Sequence, residues 1–259
     1  MQGEGKLKEF LDRKVAEYNR PSFIAADPIS IPHLFTVKQD IEIAGFFAAV
    51  FAWGNRTTII NKSRELMALM DNDPYSFIVN HRPIELRRME GFRHRTFNTT
   101  DLLYFISFLQ HHYKKYNSLE EAFLIKGDTA IADPAEQSLN SFYTYFFSLE
   151  HVPARTKKHI ACPAKNSACK RLNMFLRWMV RTDDQGVDFG LWKNIRPSEL
   201  ICPLDLHVAR VAKRFKLVER PMPDWKTALE LTRHLREFDP ADPAKYDFAL
   251  FALGVHERF

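Results

Sequence analysis

Glycine is scarce in this chain, 9 of 259 residues against 14 prolines and 22 phenylalanines. Dinucleotide and phosphate-loop folds need glycine-rich turns so that backbone amides can approach phosphate, and this composition argues against both. Cysteine is sparse too. Cys162, Cys169 and Cys202 make an odd number with no paired spacing, which excludes a disulfide-stapled scaffold and points to a reduced, cytoplasmic setting. The first residues, Met-Gln-Gly-Glu-Gly-Lys-Leu-Lys, hold no apolar core of signal-peptide length. No apolar run reaches the ~18 residues of a membrane span. The longest, Ile43 to Trp53, suits a buried helix. No internal repeat or low-complexity linker occurs. The rest is ordinary globular composition, 46% hydrophobic and 27% charged, and a net charge of +5 permits a polyanionic partner without requiring one.

What is present is helical periodicity. Leu7, Phe10, Leu11, Val15 and Tyr18 form one stripe over residues 6–18. Residues 38–52 turn almost wholly apolar after Ile41 and read as a central helix. Asn55 to Met70 is a further helix, stopped at Asp71-Asn72-Asp73-Pro74. Thr99-Thr100-Asp101 marks a cap for a helix to about Tyr116. Ser118 with Glu121 forms a capping-box pattern, and Pro134 opens a helix ending near Leu149. No strand alternation lasts beyond four or five residues. The expected class is therefore all-α.

From His151 to Arg181 the chain carries Arg155, Lys157, Lys158, Lys165, Lys170, Arg171, Arg177 and Arg181 and no acid. Over Ser167 to Arg181 the pattern is an amphipathic helix. At about 100° per residue, Lys170, Arg177 and Arg181 fall within roughly 20° of one line, with Leu172, Phe175, Leu176, Met179 and Val180 opposite. This is either a solvated basic face or a contact surface for polyanions. Farther on comes Pro203-Leu204-Asp205-Leu206-His207. Asp205 falls where a helix would begin, so its carboxylate reads first as a cap on the backbone amides.

That pentapeptide, with Lys170 upstream, resembles the helix-hairpin-helix DNA glycosylase superfamily of base-excision repair, the oxoguanine-type branch in particular. Those enzymes carry Pro-Val-Asp-Thr-His or Pro-Val-Asp-Val-His, in which the aspartate is catalytic, and bifunctional members place a lysine at the start of the helix after the hairpin. Phe51-Ala52-Trp53-Gly54-Asn55 and Gly91-Phe92-Arg93-His94-Arg95 resemble family segments near the DNA more loosely. Over most of its length, notably Ser167–Arg181 and Asp239–Leu250, the chain resembles a bacterial family of unknown function.

The resemblance implies a two-lobed, all-α glycosylase-like fold. Residues 36–184 would form a central helical lobe, and 1–35 with 185–259 the second, with DNA lying in the groove between them. It implies a DNA-repair N-glycosylase and AP lyase, formally a hydrolase and lyase, acting on damaged or abasic duplex DNA. Lys170 would be the nucleophile, with Asp205 and His207 beside it, and Asn55, Arg93, Arg95, Lys165, Arg171, Arg177 and Arg181 would contact nucleic acid. No cofactor is implied, no membrane and no metal. The four-cysteine cluster that would hold iron–sulfur does not follow Asp205. The alternative, on the same fold, is a non-catalytic nucleic-acid-binding protein.

The chain departs from the family in two places. The hairpin normally reads Leu-Pro-Gly-Val-Gly, whereas Cys162-Pro163-Ala164-Lys165-Asn166-Ser167 has no glycine. Asn166 is the residue there best able to take a left-handed conformation. The 35 residues from Lys170 to Asp205 are more than the family uses, so an insertion is expected to loop out around Asp183–Pro197.

Other groups have structural readings beside functional ones. His159 with the three cysteines fits no zinc spacing, and buried thiols are the plainer reading. Trp178, Trp192 and Trp225 read as core, with Trp53 the one candidate for stacking on a base. Asn55 serves equally as a helix cap, and Arg93 and Arg95 equally as a solvated loop.

Overall fold

The computed structural model of the chain describes residues 2–124, 133–255, 257 and 259. Among these the helices are α1 Gln2–Tyr18, α2 Pro21–Ile24, α3 Lys38–Phe51, α4 Arg56–Leu69, α5 Pro74–Asn80, α6 Thr99–Tyr113, α7 Glu120–Leu124, α8 Pro134–Phe146, α9 Lys170–Val180, α10 Leu206–Arg214, α11 Trp225–Phe238 and α12 Tyr246–Val255. One antiparallel hairpin, β1 Arg93–His94 with β2 Phe97–Asn98, is the only sheet among the described residues. The class is all-α. No described helix is long and apolar enough to cross a membrane.

Two compact units divide the chain. One joins the segment up to Ala25 to Cys162–Phe259, and the other is Ala26–Ala161. The boundary thus falls before the hairpin rather than near residue 184, and α9 belongs with the terminal segments. The physical reason is that Arg177 and Arg181 of α9 find their carboxylates there.

The unit 26–161 is built on α3, which is buried from Asp40 to Phe51. Phenylalanine does the packing. Phe46 meets Phe105 and Phe142, Phe108 lies 4.3 Å from Phe146, and Phe123 stacks on Phe142 at 4.1 Å, centroid to centroid. Glu42, fully buried on this apolar helix, accepts hydrogen bonds from Tyr113, Ser118 and the Leu119 amide, which ties α6 to the turn before α7. The cap of α6 is Asn98, one residue before the expected Thr99-Thr100-Asp101, with Asn98 and Asp101 capping each other reciprocally. Pro134 opens α8 behind the Asp133 cap.

In the other unit α12 is the centre. Phe248, Ala249, Leu250, Ala252 and Leu253 are fully buried, and α1 and α10 pack on this helix. α10 comes so close that a Cβ on Gly254 would lie 3.0 Å from His207 Cβ and 3.1 Å from its carbonyl oxygen. The residues after α9 do not loop out as expected. Phe189 and Trp192 donate backbone hydrogen bonds to Trp178 and Met179, and Val187, Asp188 and Trp192 are buried against α9. The apparent insertion is packed because it carries an aromatic and an acid that α9 needs.

Two glycine substitutions test this packing. Gly254→Ala should lower stability by about 1–3 kcal/mol in urea denaturation, because the new methyl meets backbone that cannot yield. Gly5→Ala, in the open on α1, should raise it by about 0.5–1 kcal/mol.

Candidate functional site

Lys170 opens α9 and Asp205 caps α10. Both starts follow from local chemistry. Asp205 Oδ1 accepts from the amides of His207 at 2.8 Å and Val208 at 2.9 Å, satisfying two donors of the first turn. α9 starts differently, from two left-handed residues in the preceding hairpin, Asn166 at φ +57° and Cys169 at φ +51°. Asn166 takes the conformation expected of it, and no glycine is used. Its side chain donates to Asp224, and the Ser167 hydroxyl accepts from the Cys169 amide.

The two starts face each other. Lys170 Nζ lies 3.9 Å from Asp205 Oδ2, and the side chains are 26% and 23% exposed. The cap uses Oδ1 and the lysine meets Oδ2, so the cap and the ion pair do not compete. Leu206 beside them is 74% exposed, and the His207 side chain is exposed at the second position of α10.

Behind this pair lies an ion network. Arg177 Nη1 donates to Asp247, and Arg177 Nε lies 3.4 Å from Asp188. Arg181 reaches Asp188, Asp183 and Asp242 at 2.8–2.9 Å, and both guanidinium groups lie over the Phe248 ring. Each arginine is only 3% exposed. Arg177 and Arg181 are therefore not the nucleic-acid contacts expected from the acid-free run. Acids from residues 183–188 and 242–247 close on them and bury that line of α9. Burial drives the Asp247 carboxyl up to about 6, against the pull of Arg177 and Lys170, with Asp205 and Asp188 pushing the same way as burial. Burial also pushes the Cys202 thiol well up.

Of the remaining candidates in this unit, Lys165 is exposed on the hairpin. Arg171 is half-buried, and burial lowers it to about 10, so it still carries its charge at neutral pH. Asn55, Arg93 and Arg95 belong to the other unit and form a cluster of their own. Asn55 caps α4 through the Thr58 amide. The Arg95 guanidinium lies 4.4 Å from the centre of the Trp53 ring, over Gly54, where a Cβ would strike it. Arg93 donates to the Arg95 carbonyl, and Arg95 is itself left-handed. Trp53 is half-exposed, whereas Trp178, Trp192 and Trp225 are core as expected. The three cysteines are buried thiols, and His159 pairs with Asp101 in its own unit. Among the described residues no group of three or more His, Cys, Asp or Glu is arranged to hold a metal.

Sequence reasoning missed Asp247, 70 residues along the chain from Arg177, and Asp188, which follows α9 in the stretch expected to loop out. The signal available was the want of acids between 151 and 181, since arginines on a helix that packs must find partners elsewhere.

A family model matches residues 27–256, thus nearly the whole of this arrangement. The chain belongs to the DUF2400 family, described as a protein of unknown function. No curated protein and no solved structure matches it. In this DUF2400 chain the matched span includes Lys170, Asp205 and every carboxylate of the network behind them.

Asp247 gives a pH test of the network. A carboxyl raised from 3.8 to about 6 on folding holds its proton more tightly when folded. Its contribution to stability is full below about 3.8 and is lost as pH rises through about 6. Between pH 4 and 7 the stability of the parent should fall by about 2 kcal/mol relative to Asp247→Asn. Parallel chemical denaturation of the two proteins measures that difference.

Proposed function

We propose that this protein is a DNA N-glycosylase and AP lyase that acts on damaged or abasic duplex DNA, with Lys170 as nucleophile and Asp205 beside it. The observation that carries the reading is the Lys170–Asp205 approach at 3.9 Å, partly exposed, at the abutting starts of two helices. A lysine and a carboxylate so placed suit imine chemistry, in which an amine needs a neighbouring base and an electrostatic partner for a developing cation.

The Lys170 ammonium gives its proton to Asp205 or to water, and the neutral amine attacks C1′ of the deoxyribose. The C1′–N bond breaks, and the base leaves with the electron pair and takes up a proton. Ring opening converts the C1′ adduct to a Schiff base. Loss of a C2′ proton then expels the 3′ phosphate by β-elimination, and water hydrolyses the imine to free the lysine. Asp205 Oδ2 offsets positive charge on the sugar as the base departs. The base must leave the helical stack to be reached, and Lys165, exposed on the hairpin before α9, is a candidate contact for the strand. His207, exposed one helical step past Asp205, is a candidate for a phosphate or sugar contact. No step requires a cofactor.

A non-catalytic nucleic-acid-binding protein is the second reading, favoured by the hairpin without glycine. The two separate in one experiment. Borohydride with abasic or lesion-bearing duplex should trap a covalent adduct of the parent, and Lys170→Gln should lose it while keeping most of its binding. An equal adduct without Lys170 would overturn the assignment. No adduct from either protein, with binding intact, would favour the second reading.

Asp205 can be judged separately. Asp205→Asn keeps a capping oxygen, so stability should change little, whereas base removal should fall at least about 100-fold. Asp205→Ala should also lose about 1 kcal/mol of stability with the cap. Glycosylase assays beside thermal melts give both readouts.

A further inference from the structure

The ion network neutralises Arg177 and Arg181 at the far end of the acid-free run 151–181. The near end, Arg155, Lys157 and Lys158, lies exposed in the unit 26–161, on the short 3₁₀ helix Ala154–His159. At three residues per turn, positions three apart share a face. Thr156 and His159 face inward, both against the buried Asp101. Arg155 and Lys158 therefore share another face. Arg155 Nη2 fixes its direction by donating to the Thr96 carbonyl of the β1–β2 turn at 2.7 Å, with Asp101 3.2 Å away. That hairpin carries Arg93 and Arg95, both exposed, because His94 between them is drawn into the core and donates from Nε2 to the Phe51 carbonyl. Among the described residues Arg93, Arg95, Lys157 and Lys158 have no carboxylate partner. Arg95 is held in a way that stability alone does not explain. It is left-handed at φ +55°, and its guanidinium lies 4.4 Å from the centre of the Trp53 ring. Gly54, at φ +106°, leaves room for it, since a Cβ there would lie 2.2 Å from Arg95 Nη1. A bulky left-handed residue costs at least as much as an exposed stack of this kind returns.

We infer that this face of the unit 26–161 binds single-stranded nucleic acid, with an unpaired base stacking at Trp53–Arg95 and phosphates at Arg93, Arg155 and Lys158. Charge alone would suit any polyanion. The Trp53–Arg95 stack narrows the class. A duplex keeps its base faces covered, whereas an unpaired base offers one to an aromatic ring or a guanidinium plane. The cations come from two elements, the hairpin and the 3₁₀ helix, and the Arg155–Thr96 bond places the two together before any strand arrives. The inference does not rest on Lys170 as nucleophile, since every residue it uses lies in the unit 26–161.

The test is fluorescence anisotropy of a fluorescein-labelled, undamaged oligothymidylate of about twelve nucleotides with the full chain. The parent should bind it with log K falling against log[salt] at a slope of about −2. Arg93→Gln with Lys158→Gln, both at exposed positions, should weaken binding at least about 5-fold and flatten the slope. Trp53→Leu should weaken binding about 10-fold and leave the slope unchanged. Trp53 also packs on His94, so a second variant guards against loss of the fold. Arg95→Asn suits the left-handed backbone and should weaken binding without lowering the melting temperature. No binding by the parent, or binding that none of these variants weakens, overturns the inference. Inorganic polyphosphate competing as well as unlabelled oligothymidylate, with Trp53→Leu silent, also overturns it, because charge alone would then account for binding. Borohydride trapping reports separately on Lys170. Strand binding that depends on Arg93 and Lys158, with no adduct from the parent, keeps this surface and removes the lyase. An adduct without oligothymidylate binding does the reverse.

Discussion

Two guanidinium groups held out of water on one helix need their charge met, and every carboxylate that meets it comes from another stretch of chain. Arg177 draws in Asp247 of α12 and Asp188 of the segment after α9, while Arg181 draws in Asp183, Asp188 and Asp242. Taking an ion out of water costs several kcal/mol, recovered only where the geometry supplies close partners. Asp188 and Asp242 hold Arg181 above its ordinary value against a burial that lowers it. Phe248 closes the underside of both arginines. The network thereby fixes the direction of α9, and with it the position of Lys170 at the solvent end of the same line.

Asp205 reaches Lys170 by a separate route. α10 is set by the contact of its first turn with Gly254 of α12 and by the two amides that Asp205 caps. α12 thus carries both halves of the pair, one through Asp247 and Arg177, the other through Gly254 and His207. That arrangement keeps a lysine and a carboxylate from different helices at 3.9 Å. Preorganisation of this kind is what the proposed chemistry needs, since the two groups must be in place before substrate arrives.

The helices were legible because an apolar stripe every three to four residues survives whatever the tertiary context, and because Asp133-Pro134 and Asp205 are local stop-and-start chemistry. The β1–β2 hairpin was not, since strands of two residues carry no alternation to read. Lys170 and Asp205 stand 35 residues apart, and only a family resemblance put them together before the structure did. Arg177 and Arg181 were misread for a definite reason. Charge counted along 151–181 sees cations alone, whereas burial depends on acids that enter from 183–188 and 242–247. Lys165 stays exposed, as a local reading expects.

The hairpin shows how a missing residue type limits chemistry without removing a conformation. Asn166 and Cys169 adopt the left-handed backbone that glycine would take freely, at roughly 1 kcal/mol or more each. Bonds from the Asn166 side chain to Asp224 and from the Cys169 amide to Ser167 offset that cost. Asp224 is a firm anchor, because hydrogen bonds from Arg220 and Thr227 hold its carboxyl down at about 2 despite a burial that would raise it. The turn is therefore kept, but side chains now stand where a bare backbone could approach a phosphate closely. In the proposed reading the grip on the strand passes from backbone amides to the Lys165 charge. An amide clamp is short-ranged and directional, whereas a lysine on an exposed turn is screened by salt. A protein of this design would hold its strand more loosely at the hairpin and depend more on the Lys170–Asp205 pair for its grip on the sugar.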